Sequence, residues 1–506
     1  MTFDELLKLI RLPGVAQAKS GSPKAPGLCV DSRLVKPGDI FVACMGPNLD
    51  GHDFIPQALA NGAKYIVCQN PPSSVIASPS SVIPAPLSVI PAQAGIQFII
   101  VKNSSVAFAA LAQAANGDPA SKLTNLAVTG TNGKTTVTFL VRSCLQAAGH
   151  KSGLIGTVVY DTGLDSAPAD LTTPDPITIA KAQSRMLETG AKFMVIEASS
   201  HSLDQNRLAA IAFKAAAFTN LTGDHLDYHK TTENYLAAKS KLFEALAPDA
   251  TAILNKQSPY ANQIAQNTKA KILWFAIDES ADLCAHIESI DITGTIFTLC
   301  YRNQNIQIKT PLLGQYNVAN HLAAAGLCIG AGLDFKTIAQ GLAALTTIPG
   351  RLENVKPDAP FTVLVDFAHT DDALNNVLST LKPLCKNRLI VLFGCGGDRD
   401  KTKRPRMAKV VEQFADLIFV TSDNPRTENP DDIISQIVAG FKDPASLKIN
   451  IEPDRRKSIA LAIESAAKDD VVLLAGKGHE NYQIIGKQKF PFSDKSIALD
   501  VLKNCM

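Results

Sequence analysis

No charge of either sign predominates in this 506-residue sequence: 49 Lys and Arg stand against 47 Asp and Glu, a formal net charge of +2. A dedicated nucleic-acid binder carries a basic stripe and a clear positive excess, so that class is excluded. No window reaches the roughly 18 uninterrupted apolar residues that a membrane-spanning helix needs. The opening MTFDELLKLIRLPG has early acidic residues and no long apolar run, which is not an export-signal pattern. These absences predict a cytoplasmic protein without membrane insertion. The ten cysteines include no Cys-x-x-Cys pair, and zinc or dithiol redox motifs use such close pairs. Scattered, buried, reduced thiols are expected instead.

What is present is enough apolar material, 46% of residues, for several cores. The length prior of about 150 residues per domain suggests three. Pro71–Gln97 stands apart: Ser-Val-Ile recurs at Val75, Val82 and Val89, but Pro79, Pro84, Pro86 and Pro91 forbid a continuous helix. An extended or disordered insertion of no assigned function is expected there. Elsewhere apolar strand-like runs alternate with longer amphipathic stretches, the pattern of α/β domains with mostly parallel sheets. The strand candidates are LTNLAVTG, KFMVIEAS, KAAAFTNL, TAILN, FTVLVDFAH, RLIVLFGCGG, LIFVTSDNP and VVLLAGKGHE. After the first, TTVTFLVRSCLQAAG reads as a helix with Val137, Leu140, Val141, Cys144 and Leu145 on one face and Gly149 as its stop. Boundaries near Asn103 and Ile348-Pro349-Gly350 give an N-terminal domain over 1–103, a central nucleotide domain over 104–347 and a C-terminal domain over 348–506. The fold class expected is α/β: a central P-loop sheet with helices on both faces, a Rossmann-like C-terminal domain and a smaller N-terminal one.

Polar clusters fall repeatedly at the ends of the strand candidates, where open α/β sheets bind ligands. Thr129–Thr136, TGTNGKTT, lies at a strand-to-helix turn. Gly130 and Gly133 let backbone N–H groups curl around a phosphate, and the helix N-terminus adds positive potential. Lys134 can bridge phosphates and the Thr135 hydroxyl can ligate Mg²⁺. The strict Walker pattern is broken, because Val128 stands where its first glycine belongs. Glu197 ends an apolar strand and suits a divalent ion shared with Thr135; alone it could equally cap a helix or pair with a cation. His225 and His229 are four apart, but the glutamate of a zinc-protease helix is missing. A place for His225 beside a phosphate-bound metal is the alternative. Asp423–Arg426, DNPR, offers a guanidinium fork for a carboxylate, or simply a turn with a surface salt bridge. GCGGDRD and GKGHE are glycine-opened loops that place Arg399 and Glu480 to meet a zwitterion, though their glycines could be simple turns.

Together GTNGKTT, TTPDP, EASSH, FTNLTGDHLDYH, AAKSKLF, DFAHT, GDRDKTKRP, DNPRTE and GKGHE, in this order, resemble the Mur ligase family, ATP-dependent amide-forming enzymes of peptidoglycan synthesis. The likeness runs from DSR at 31–33 to Glu480 and leans to the members that add meso-diaminopimelate. It implies that Gly130, Thr131, Asn132, Gly133, Lys134, Thr135 and Thr136 hold the triphosphate, with Asn317, His321, Arg351 and Asp366 on the nucleotide's far side. It implies two Mg²⁺ ions, with Thr135, Glu197, His225 and a carbamylated Lys239 as ligands. A UDP-linked dipeptide would meet Ser32, Asn48, Thr172, Thr173, Ser199, Gln205 and Arg207. Diaminopimelate would meet Arg399, Asp423, Asn424, Pro425, Arg426, Gly476 and Glu480. A monomer is expected. A lysine-adding ligase of the same family, a folylpolyglutamate synthase and a nucleotide switch without ligase activity are the alternatives. A neutral or acidic residue at 426 would favour the first, while DSR and DNPR speak against the other two.

Overall fold

The structure is a computed structural model that describes residues 3–11, 26–46, 49–71, 89–91, 95–355 and 359–505. Every strand candidate forms: Thr124–Thr129, Phe193–Glu197, Phe213–Phe218, Thr251–Asn255, Thr362–Asp366, Leu389–Phe393, Leu417–Val420 and Val471–Ala475. Their continuous apolar runs fit strands covered on both faces, as in parallel sheets.

These strands sort into two of three main sheets. In the eleven-stranded central sheet, Thr124–Thr129 lies between Phe193–Glu197 and Phe213–Phe218, parallel to both. Antiparallel strands extend this parallel centre at both edges, including the meander Leu283–Asp291, Gly294–Tyr301 and Gln304–Thr310. Apolar clusters on the two faces of the sheet include Leu126 and Val128 on one side and Ala127 on the other. That split follows from the alternation of side chains along a strand. The C-terminal sheet has six strands, parallel except for the short Glu353–Asn354 at its edge. The N-terminal sheet has five, four of them parallel.

The helix after the first central strand is Lys134–Ala147, and Val137, Leu140, Val141, Cys144 and Leu145 are all fully buried. Truncating Leu140 to Ala would cost about 2–5 kcal/mol, the range for a cavity left in a packed core. Gly149 takes φ +73° just beyond the helix, the left-handed turn that favours glycine.

Three features differ from the sequence reading. Val89–Pro91 pairs antiparallel with Gln97–Ile100, so part of the low-complexity stretch is an edge strand, where proline is tolerated. Most of the remainder of that stretch lies outside the described residues. Helix Ser104–Ala115, which follows the expected boundary at 103, places Ala107, Phe108, Leu111 and Ala114 in one cluster with Ile40, Val42 and Tyr65 of the N-terminal sheet. The nine cysteines from Cys29 to Cys395 are free, but only Cys68, Cys144, Cys328 and Cys395 of them are buried. Near the second boundary, Ile348 packs in the central core and Leu352 in the C-terminal one. No helix among the described residues is long and apolar enough to cross a membrane.

Candidate active site

The turn from strand Thr124–Thr129 into helix Lys134–Ala147 is shaped by glycines that nothing larger could replace. Gly130 has φ +147°, and a Cβ there would sit 1.9 Å from Thr219 Oγ1. At Gly133, φ +90°, a Cβ would sit 2.2 Å from Asn320 Oδ1. The loop is pinned from the neighbouring strand end: Asn220 Oδ1 accepts from the Asn132 amide at 2.9 Å, and Thr131 Oγ1 accepts from the Thr222 amide at 3.0 Å. Thr135 and Thr136 are buried in the first helical turn. With the Thr131 and Asn132 amides both held by Asn220, the loop forms a cup around the N-terminus of helix Lys134–Ala147, whose first-turn N–H groups have no intrahelical partner, the geometry that receives phosphate.

Two lysines converge on the cup. Lys134 Nζ donates to the Gly130 and Thr131 carbonyls at 3.0 and 2.9 Å, and Lys239 Nζ donates to the same Gly130 carbonyl at 2.8 Å. Lys239 is 1% exposed and lies 4.4 Å from the centre of the Tyr235 ring. Burial and the neighbouring Lys134 ammonium drive its pKa well below the ordinary lysine range, against the opposing pull of Asp224. Burial thus disfavours the ammonium form of this side chain.

Glu197 is 1% exposed and accepts from both the amide and the hydroxyl of Thr157, each at 2.9 Å. Thr157 Oγ1 also meets Thr172 Oγ1 at 3.1 Å. Thr173 Oγ1 donates to the Glu197 carbonyl at 2.6 Å and accepts from the Ser199 amide at 3.1 Å. Arg207 donates to the Thr173 carbonyl and is gripped by Gln205. Thr172, Thr173, Ser199, Gln205 and Arg207 thus form one network against Glu197. Gln205 and Arg207 reach a cavity of about 600 Å³ that Asp31, Ser32, Arg33 and Gln57 line from the N-terminal module. Ser32 donates to Gln57 there at 2.6 Å. Asn48 lies outside the described residues.

His225 precedes the short helix Leu226–His229 with φ +55°, so it and His229 do not form the paired face of a longer helix. Both rings instead pack around His201, at 4.9 and 5.5 Å between centres. Partial burial, with His201, Lys134 and Lys239 close by, holds the His225 pKa below the usual imidazole range despite Asp224.

The C-terminal module meets the phosphate cup directly. Arg351 donates to Thr135 Oγ1 at 3.1 Å, and Asp372 accepts from Asn132 Nδ2 at 2.8 Å and Thr222 Oγ1 at 2.9 Å. Asp366 is buried and accepts from the Leu352 and Ala368 amides; burial raises its pKa against the pull of Arg351. Asn317 bonds Asn320, the residue packed under Gly133. His321 is wholly interior, edge-on to Phe297, with Nδ1 at 2.6 Å from the Asn317 carbonyl and Nε2 without a partner.

Asp423, Asn424, Pro425, Arg426 and Glu480 gather at the carboxyl ends of the C-terminal strands. Lys477, fully buried, ties them: it donates to Asn424 Oδ1 and Glu480 Oε2, both at 3.1 Å, and lies 3.6 Å from Asp423. Gly476 has φ +113°, and a Cβ there would come within 2.9 Å of Asp423 Oδ2. Gly397 packs on the Pro425 carbonyl, where a Cβ would sit 1.9 Å away. Arg426, at φ +53°, is anchored by its amide on the Ile484 carbonyl and donates to the Gly397 carbonyl at 2.8 Å. Burial and the exposed Arg399 guanidinium both lower its pKa. Two guanidiniums this close repel each other, an arrangement that a carboxylate ligand would relieve.

Sequence alone does not single out Lys477, Asp372, Thr157 and His201. Lys477 sits inside GKGHE, His201 ends EASSH and Asp372 lies just after DFAHT, so those motifs carry a signal. Thr157 had none.

The sequence matches the Mur ligase family catalytic domain over residues 25–116, the Mur ligase middle domain over 128–328 and the Mur ligase glutamate ligase domain over 350–478. It is similar to a protein of Geobacillus thermodenitrificans named UDP-N-acetylmuramoyl-L-alanyl-D-glutamate–2,6-diaminopimelate ligase, with 41% identity over 98% of each chain. A protein of Gloeobacter violaceus with the same name is 40% identical over 94% of this chain and 93% of its own. A solved structure of that ligase aligns with TM-score 0.64 and 30% identity, covering 100% of this chain and 99% of the other. MurF from Acinetobacter baumannii shares the fold, with TM-score 0.61 at 17% identity over 99% of this chain and 98% of its own. With full-length identity of this order and three domain matches in succession along the sequence, the chain belongs to the Mur ligase family.

Proposed function

We propose that this chain is an ATP-dependent acid–amino-acid ligase. It joins meso-2,6-diaminopimelate to the D-glutamate carboxylate of UDP-N-acetylmuramoyl-L-alanyl-D-glutamate, a step in peptidoglycan precursor synthesis. The observation that carries the reading is the bonding of the C-terminal module to the glycine loop through Arg351 and Asp372, beside a network that runs from Glu197 through Thr173 and Arg207 to the cavity at Ser32. The full-length relatives bearing that ligase name support the choice of substrates.

In this reading the glycine loop and Lys134 hold the triphosphate of ATP, with Arg351 beside them. The acceptor carboxylate attacks the γ-phosphorus, ADP leaves, and an acyl phosphate forms. The diaminopimelate amine then attacks the acyl carbon and inorganic phosphate departs. Positioning and charge neutralisation do most of the work in such transfers. Thr135, Glu197, His225 and the carbamate of Lys239 are the residues that would hold Mg²⁺, which neutralises phosphate charge when bound. The donor set fits that role once the buried amine becomes an anionic oxygen ligand. Arg426 and Arg399 receive the side-chain carboxylate that distinguishes diaminopimelate from lysine, and Lys477 sets the pocket behind them.

The test is a competition. The chain is incubated with ATP, Mg²⁺, the UDP-dipeptide and an equimolar mixture of diaminopimelate and lysine, and the product mass is read. A diaminopimelate-extended product is expected. A lysine-extended product, or none, would overturn the proposal.

A further inference from the structure

The antiparallel pair Leu283–Asp291 and Gly294–Tyr301 brings together three ligating side chains that are far from the phosphate cup in sequence and belong to no motif above. Cys284 and Cys300 are direct cross-strand partners, and His286 is the next residue on the same face, opposite Thr298. One ligand atom from each of Cys284, His286 and Cys300 lies within 4.8 Å of the others. Packing forces this arrangement. Leu283, Ala285, Phe297 and Leu299 are fully buried on the inner face, so the alternating residues must point outward together. A one-residue slip would expose the apolar set, which fixes the register. The Asp278 carboxylate lies 3.3 Å from His286 Nδ1, the kind of partner that orients a ligating imidazole.

We propose that Cys284, Cys300 and His286 form a metal centre for a thiophilic divalent ion of the zinc class, separate from the Mg²⁺-dependent reaction. Two sulfurs and an imidazole suit such an ion, with water in a fourth tetrahedral position. Mg²⁺ prefers oxygen ligands and does not compete for sulfur. Binding converts two thiols to thiolates, so two protons leave for solvent as two metal–sulfur bonds form. The ion would staple the outer hairpin of the central sheet.

The full-length protein, reduced and stripped with a chelator, is titrated with Co²⁺ and then Zn²⁺. The expected result is one thiolate-bound Co²⁺ per chain, read from sulfur-to-cobalt charge-transfer absorption that Zn²⁺ erases. The absorption should vanish in Cys284→Ser/Cys300→Ser, and Asp278→Ala should weaken affinity roughly 10- to 100-fold. The histidines around His201 offer no sulfur and cannot produce that band. Fluorescence of Trp274, on the adjoining strand Lys271–Ile277, verifies that the variants fold; should the double variant unfold, each single serine variant replaces it. Absence of the band in the wild type, its persistence without the two sulfurs, or a Cys284–Cys300 disulfide that persists through reduction would overturn the proposal.

Discussion

The glycine loop Thr129–Thr136 and the cluster around Lys477 both lie at the carboxyl ends of parallel strands, yet their modules treat buried charge in opposite ways. In the C-terminal module buried cations are paired. Arg455 is held by Asp494 at 2.6 and 2.9 Å, Arg404 by Glu428 at 2.9 and 3.0 Å, and Lys477 by Glu480 at 3.1 Å. In the central module Lys239 donates to a carbonyl that Lys134 also uses, and His321 meets only a carbonyl and a ring. Burial holds the His321 pKa down at about 4. Paired charges keep their geometry as pH changes, whereas burial without a counter-ion favours the neutral form of a base.

Breaking the lone base should have the largest effect. Lys239→Ala removes both the amine and any carbamate, and kcat should fall about 10³-fold, the upper range for losing one charge-stabilising group. Intact mass of the wild type kept in bicarbonate should show one added CO₂, absent from the variant.

Acid challenges the same contrast. His321 has a folded pKa of about 4 against an ordinary 6.5. Its neutral form therefore contributes stability that is complete above the unfolded value and is lost as pH falls from 6.5 toward 4. The loss approaches about 3 kcal/mol at roughly 1.4 kcal/mol per pKa unit. The single Trp274 reports on the central sheet, so its unfolding midpoint in denaturant should drop through that window. His321→Gln should flatten the drop.

Within the paired pocket, Arg426→Ala removes one of the two guanidiniums left for substrate. kcat/KM for diaminopimelate should fall about 10²-fold, within the range for losing a buried charge-assisted contact, with the KM for UDP-dipeptide unchanged. Smallest is Asp372→Asn, which weakens the tie from the C-terminal module to Asn132 and Thr222 while keeping the shape. About a tenfold rise in KM for ATP is expected from losing one charged hydrogen bond.

Much of this was legible in the chain because it is written contiguously. Thr129–Thr136 is a strand end, two glycines and a helix start in eight consecutive residues, and the apolar face from Val137 to Leu145 follows helical period. What depends on packing between distant segments was not legible. Thr157 gains its role because the strand Ser152–Ile155 runs beside Phe193–Glu197 and brings it to Glu197. Lys477 looks like any lysine until Asn424, 53 residues away, closes on it. Cys284 and Cys300 fail the close-spacing test for zinc because strand register, not sequence spacing, makes them neighbours. Helix Ser104–Ala115 shows the same limit: its apolar positions announce a helix but not which sheet receives it.

The most direct test of the whole account is phosphate release from ATP with each substrate omitted in turn. Release should require both the UDP-dipeptide and diaminopimelate, with lysine unable to replace the latter. Equal release with lysine, or steady release with no acceptor at all, would contradict it.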